Sequence, residues 1–420
     1  MRTATWWRIL AVVAVACIGL AGCGRDEGGG GGGGGGGGTS VGVTDSSIKL
    51  GTTFPLSGPA SAYGTISRAS KAYFDMINAK GGVNGRKIEY TVLDDGYEPP
   101  RAVNNARRLV TQDKVFAVFN SLGTPNNLAI WDYLNQQKVP QLFVATGATE
   151  FGQDPKAHPW TIGWQPDYVT EAVAQADYLK KKKPDAKVAI LYQNDDFGKG
   201  FMGGFEKKIQ GSGIKIVARE SYEVTDPTTA PQVGKLARSG ADTFLDIATP
   251  KPAAQAIGTV AKSGWKPLHL ISNVAASKSL VFEPVGLKPA IGIRTSNYLK
   301  EADSKQWADD PGMKEYKANL KKYCSRCNVN EPFNVYGWAV AYTMVETLKK
   351  AGKDLTRESV MKAARNLDLE NPMFLPGIKL KTSDTDGFPV ESVQIQEFDG
   401  EGWKPDGDVY SNEGRQAVGT

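Results

Sequence analysis

Histidine is almost missing from this chain: two residues in 420, His158 and His269, far apart in sequence. That scarcity excludes most histidine-based triads, and it excludes a zinc site of four ligands built around one cysteine pair. No Gly-x-Ser-x-Gly elbow and no phosphate-binding loop with its lysine occurs, so the common signatures of acyl and phosphoryl transfer are absent. Beyond the first twenty residues no long apolar run exists, so the body carries no candidate membrane helix. Positive charge is also in short supply. Of the net +5, Arg2 and Arg8 supply two, leaving about +3 beyond them, too little for a nucleic-acid footprint. The one dense basic run, Lys180 to Lys183, reads as the solvated end of a helix before Pro184.

The N-terminus is where the sequence speaks first. Arg2 and Arg8 give a positive start, Ile9 to Leu20 is apolar and uncharged, and Ala21 and Gly22 are small. The run is too short to span a bilayer comfortably and has the layout of a secretory signal, with Trp6 and Trp7 suited to a membrane interface. Leu20-Ala21-Gly22-Cys23 resembles a bacterial lipobox, in which Cys23 would be lipidated and become the new N-terminus. An ordinary signal with a chance cysteine, or an uncleaved anchor, is the alternative. Residues 23–46 are read as a Gly-rich tether, a flexible coil with a reach of about 25–30 Å. The tether also satisfies Gly-x-Gly-x-x-Gly, without a preceding strand or a following helix, so that match carries nothing.

The remaining residues, about 380, suit two domains of ordinary size. Aromatics at 9% and hydrophobics at 40% support a sizeable core. Cys17 leaves with the signal and Cys23 takes lipid. Cys324 and Cys327 remain, after a basic helical stretch from Met313 to Tyr323. A redox pair would follow a strand and open a helix, so outside the cell a local disulfide is favoured. Thr382 to Gly387 looks faintly like a calcium loop, but Val393 stands where the glutamate should be, and a β-turn is expected. No metal or other cofactor is expected.

From Ile48 the pattern alternates strands with amphipathic helices. Strands are expected at 48–53, 87–93, 115–119 and 141–145, with helices at 64–79, 101–112 and 126–137. On the first helix Ile66, Ala69, Tyr73, Met76 and Ile77 share one face, and Gly81-Gly82 ends it. The alternation restarts after Pro166, with helices at 168–183, 199–210, 231–239 and 253–263 and strands at 188–192, 214–221, 243–247 and 268–272. Alternation of this kind implies α/β folding with two doubly wound, mostly parallel lobes, and a ligand at the strand carboxyl ends between them.

Three motifs in order then carry a resemblance. They are Phe54-Pro55-Leu56-Ser57-Gly58-Pro59 with Tyr63-Gly64 and Asn78 to Arg86; Val188 to Tyr192 with Asp196-Phe197-Gly198-Lys199-Gly200; and Ser239-Gly240-Ala241-Asp242. The chain resembles the branched-chain amino-acid-binding family of type I periplasmic binding proteins from Ile48 to about Trp403. The resemblance implies a three-segment hinge, with lobe one at 47–164 and 297–375, lobe two at 165–296 and 376–410, and a disordered tail at 411–420. It implies an extracytoplasmic, membrane-anchored, monomeric solute-binding lipoprotein that serves the permease of an ABC importer and is not an enzyme. A sensor or an enzyme on the same fold is the other class; neither a downstream membrane helix nor an acid–base set is visible for it.

The same resemblance places ligand contacts at strand ends: Tyr63; Ser121, Gly123 and Thr124; Ala145, Thr146 and Gly147; and, in lobe two, Phe197, Thr249 and Asn273. Hydroxyls and backbone N–H groups at Ser121 to Thr124 suit a carboxylate. Tyr63 could equally be an exposed loop residue. Tyr336 either closes the pocket's side or sits in the core beside Trp338. Family members that take leucine-like ligands place a carboxylate in lobe two, where this chain has Asn273 or Val274. Phe197 lacks the expected hydroxyl, and Gly147 stands where a threonine is expected, with Thr146 beside it. The expected ligand is a small organic acid, with an aromatic body suited to Tyr63, Phe197 and Tyr336. A true branched-chain amino acid is the alternative, with Glu283 or Asp246 supplying the charge.

Overall fold

The computed structural model describes residues 40–413. The expected signal, Cys23 and most of the expected tether lie outside them. The first half alternates β1 (Ser47–Phe54), α1 (Gly64–Ala79), β2 (Lys87–Asp94), α2 (Pro99–Thr111), β3 (Ala117–Phe119), α3 (Thr124–Gln136), β4 (Gln141–Val144), α4 (Glu150–Gln153) and β5 (Thr161–Gly163). A second alternation follows through α5 (Tyr168–Lys182), β6 (Lys187–Gln193), α6 (Asp196–Ile209), β7 (Lys215–Tyr222), α7 (Ala230–Leu236), β8 (Thr243–Ile247), α8 (Pro250–Ser263), β9 (Leu268–Ile271) and β10 (Arg294–Asn297). The chain ends with α9 (Pro311–Tyr323), α10 (Pro332–Ala351), α11 (Arg357–Ala364), β11 (Asp368–Leu369), β12 (Leu380–Lys381), β13 (Ser392–Phe398) and β14 (Trp403–Ser411).

The first sheet runs β2-β1-β3-β4-β5, all parallel. The second runs β7-β6-β8-β9-β10 in parallel and adds β13 and β14 antiparallel at its far edge. In each parallel set the strand order therefore reverses beside its first strand, β1 or β6, and the crevice outside the strand ends at such a switch point is where α/β sheets bind ligands.

Helix faces explain the packing. On α1, Ile66, Ala69, Tyr73 and Met76 are buried and Ile77 is partly so. This stripe lies on α10, where the Tyr73 ring meets Trp338 edge-on at 4.8 Å and the Ser70 hydroxyl donates to the Gly337 carbonyl at 2.8 Å. A Cβ at Gly337 would stand 2.3 Å from the Ile66 carbonyl oxygen, so the close crossing requires glycine there. Each fully buried ring, such as Trp164 or Phe119, contributes roughly 2 kcal/mol of burial. The lysines at the end of α5 sit where a helix C-terminus favours cations, and Lys182 also pairs with Asp406 at 3.0 Å.

Several boundaries differ from the sequence reading. Residues 40–46, expected within the tether, already pack on the body: Val43 is buried, and the Gly42 carbonyl accepts the Lys49 N–H. Ile378, Leu380 and Val390, expected with the second lobe, belong to the core under the first sheet. The chain rejoins the second sheet only at β13. At the other end Ser411 still pairs in β14 and Asn412 is buried, donating to Thr170, so ordered structure runs into the expected tail. Apolar residues from 378 onward alternate as they would on either lobe, so periodicity alone could not say which core they fill.

Cys324 and Cys327 are joined by a disulfide, closing the turn after α9. Residues 382–387 form a tight turn in which Ser383 and Asp386 exchange backbone hydrogen bonds. No helix among the described residues is long and apolar enough to cross a membrane.

Candidate functional site

Strand-end loops of both sheets meet around a mainly apolar cavity of about 880 Å³, its solvent-open mouth included. From the first lobe come Tyr63, after β1; Tyr97, after β2; Gly123 and Thr124, at the start of α3; and Ala145, after β4. From the second come Phe197 on α6, Thr249 capping α8, Asn273 after β9 and Asn297 ending β10. Tyr298, Glu301, Phe333, Tyr336 and Trp403 are among the other residues of its walls.

Eight of the expected contacts therefore line the cavity: Tyr63, Gly123, Thr124, Ala145, Phe197, Thr249, Asn273 and Tyr336. Ser121, Thr146 and Gly147 stand one layer behind it. The Ser121 hydroxyl turns toward Asn127 on α3, and its carbonyl accepts the Ala145 N–H at 2.9 Å. Thr146 shares a 2.6 Å hydrogen bond with Thr124 and accepts the Ala148 N–H, holding the loop instead of facing the cavity. Gly147 leaves room for Tyr168: a Cβ there would lie 2.7 Å from both that ring and the Pro166 carbonyl oxygen. These three residues shape the wall that others present.

Tyr63 is buried, and its hydroxyl donates to the Val274 carbonyl at 3.0 Å, a contact from one lobe to the other. Tyr336 faces the cavity while Trp338 fills the core, and the Tyr336 hydroxyl donates to Gln165 at 3.1 Å. Gln193 joins the lobes: its amide donates to the Tyr97 phenol at 3.4 Å, and its oxygen accepts from Tyr222 at 3.0 Å and Thr249 at 3.1 Å. Outside the cavity lining, Ser277 donates to both oxygens of Glu331 at 3.0 Å, and Ser279 donates to the same carboxylate. Glu331 caps α10 on the first lobe, so this cluster too spans the cleft.

The electrostatics favour an uncharged wall. Burial pushes the phenols of Tyr63, Tyr97 and Tyr336 above their ordinary value and that of Tyr168 up to about 12, so all remain neutral donors near pH 7. Lys300 is the one cationic side chain of the wall, and its ammonium is held away by Asp310 at 2.7 Å and the Pro372 carbonyl at 2.8 Å. Glu301 is the one acidic side chain of the wall. An anion here would thus be held by hydroxyls and by the N–H that Thr124 presents at the start of α3, since the Gly123 N–H already donates to the Ala145 carbonyl at 3.3 Å and Pro125 has none.

Neither alternative acid reaches the cavity. Asp246 is fully buried with its carboxylate 3.5 Å from His269, and Glu283 is exposed on a short helical turn. Sequence reasoning missed Tyr97, which follows the turn Asp94-Asp95-Gly96 at the end of β2 and was accessible to the same strand-end rule. It also missed Glu301 and Trp403, which reach the site from a crossover and from the last strand. Among the described residues one acidic group, Asp386, Glu391 and Glu413, gathers its oxygens within 4.8 Å, and the Lys381 ammonium lies 3.3 Å from Glu413.

Residues 47–404 match the family model described as periplasmic binding protein. The Leu/Ile/Val-binding protein homolog 7 of Brucella abortus is 25% identical over 338 residues, covering 77% of this chain and 82% of the relative. Many solved structures share the fold. The fatty acid ABC transporter substrate-binding protein from Thermomonospora curvata superimposes with a TM-score of 0.76 at 24% identity, over 89% of this chain and 95% of that one. The branched-chain amino acid ABC transporter protein from Thermus thermophilus with bound valine gives 0.79 at 20% identity, over 88% and 98%.

Proposed function

The chain belongs to the periplasmic binding protein family, as its motifs implied, and on that premise we propose that it captures a small carboxylate-bearing compound for an ABC importer. One observation carries the ligand class. The wall pairs neutral donors and an α3 N-terminus with many aromatic rings, and the lobe-two positions that would meet an α-ammonium are Asn273 and Val274. A buried ammonium without a partner costs several kcal/mol. The ring-lined wall suits an aromatic or hydrocarbon body behind the carboxylate. The named relatives serve different ligands, amino acids and fatty acids among them, so the family alone does not choose.

Calorimetry with leucine and valine beside benzoate-type and straight-chain acids tests this reading. An organic acid is expected to bind in the micromolar range or tighter, and leucine far more weakly. Micromolar leucine binding would overturn it.

The proposal includes a lipid anchor at Cys23, supported by the signal-like segment before it and the glycine run after it. Cys23→Ala is expected to leave the precursor unprocessed or release it from the membrane fraction. Unchanged mass and membrane partition in that variant would refute the anchor.

A further inference from the structure

The cavity has a second polar group, which the strand-end loops do not supply. From Asn297 the chain continues extended through Tyr298, Leu299 and Lys300 to Glu301, with Leu299 bridged to Phe374. All five residues line the cavity. At about 3.3 Å per residue, this wall carries the slot some 13 Å from Asn297 to Glu301. At its start Asn297 accepts from the Asn273 amide at 2.7 Å. At its end one Glu301 oxygen accepts the Trp403 N–H at 2.9 Å, and the Trp403 side chain lines the cavity beside it.

We propose that Glu301 is a specificity-determining residue that reads a hydrogen-bond donor, hydroxyl or ammonium, at the end of the ligand remote from its carboxylate. The inference rests on the carboxylate reading above. Its own warrant is separate: Glu301 is the one acid of a largely apolar wall, and its protein partners are a single donor, the Trp403 N–H, and the neighbouring Asp303 carboxyl, an acceptor like itself, so acceptor capacity remains for a ligand donor. A methyl-ended ligand leaves Glu301 unanswered, a second carboxylate meets like charge, and a donor satisfies it.

The surroundings set the charge of this end. Asp303 lies on the same segment, and Lys278, from the turn after β9, holds Asp303 at 2.8 Å and donates to the Glu401 carbonyl. Glu283 stands further along the Lys278 segment. On the 399–403 loop Glu401 reaches Lys305 at 3.7 Å, and Asp399 is tied to Lys404 and to the Gly402 N–H. Lys278 thus offsets one of the two adjacent acids, and the ligand's donor is left to meet the other. Burial first, and Asp303 with it, pushes the Glu301 carboxyl above its ordinary value, while Trp403 and Lys278 pull it back.

The test compares four eight-carbon acids that differ at one end: octanoate, 8-hydroxyoctanoate, 8-aminooctanoate and octanedioate. Hexylammonium serves as a probe without any carboxylate. With the full body of the protein, the hydroxyl and ammonium acids are expected to bind about tenfold more tightly than octanoate. Octanedioate should be weakest, more so at pH 8 than at pH 6. In Glu301→Gln the ammonium acid should lose its advantage and octanedioate should recover. The same end-group ranking in wild type and Glu301→Gln would overturn the proposal. If no acid binds the wild type, the carboxylate reading fails, and hexylammonium then decides the Glu301 claim: binding lost in Glu301→Gln supports it, and binding unaltered by that change refutes it.

Discussion

At pH 8, Glu171→Gln is expected to be more stable than the wild type by on the order of 4 kcal/mol, and at pH 4.5 the two should converge. Glu171 lies in the first turn of α5, almost fully buried, where its carboxylate accepts the Asn273 N–H at 3.0 Å. Burial pushes the group from 4.5 up to about 8; the Asn273 N–H opposes this and the nearby Asp167 adds to it. The folded value is the higher one, so between these limits the folded state holds a proton that the unfolded state has released. The associated stability is present in full below about pH 4.5 and is lost as pH rises through about 8. At 1.36 kcal/mol per unit, the shift gives the magnitude stated. The glutamine keeps an acceptor for Asn273 and never ionises. Asp167 is also buried and raised; it is present in both proteins, and its repulsion of Glu171 is part of the shift that the glutamine removes. Calorimetric unfolding from pH 4.5 to pH 8.5 reads the effect as a gap in Tm that opens by several degrees as pH rises. Parallel curves for the two proteins would show that Glu171 is already ionised in the folded state.

That group also marks where the sequence stopped being informative. Its neighbours, Asn273 on one lobe and Tyr168 and Tyr298 at the crossovers, are brought together by the chain's three passages between sheets. Helices and strands were legible because hydrophobic periodicity is local: α1 spans Gly64–Ala79 and β8 spans Thr243–Ile247, as the pattern predicts. The loops at strand carboxyl ends were legible because parallel topology directs them to one crevice. Which side chain in a loop faces the crevice was not, since that turns on single contacts. Ser121 is drawn toward Asn127, and Thr146 toward Thr124, and no spacing rule announces either bond. Glu301 and Trp403 are about a hundred residues apart and meet through one backbone hydrogen bond. Only the antiparallel return of β13 and β14 explains that meeting.

Gly123→Ala is expected to lower affinity for whichever acid binds the wild type by about a hundredfold, with a stability loss of only about 1–3 kcal/mol. Gly123 sits at φ +103°, ψ 132°, immediately before α3, a backbone conformation that side chains with a Cβ rarely adopt. Its missing Cβ is also where the Tyr97 ring lies: a methyl there would stand 2.7 Å from the nearest ring carbon, with two more at 3.2 and 3.3 Å. The ring has little room to retreat. Tyr97 is buried, and its phenol is met by Gln193 from the other lobe. The substitution therefore pushes Tyr97 toward the cavity, loosens an interlobe contact and tilts the Thr124 N–H away from the anion it would hold. Most of the fold is untouched, which is why binding should suffer more than stability. A double-mutant cycle separates the two causes. If the ring contact dominates, Gly123→Ala should cost much less affinity in a Tyr97→Ala background than in the wild type. If backbone strain dominates, the cost should be the same in both. Wild-type affinity in Gly123→Ala alone would mean that the β3–α3 loop does not touch the ligand, and the carboxylate would have to be held elsewhere.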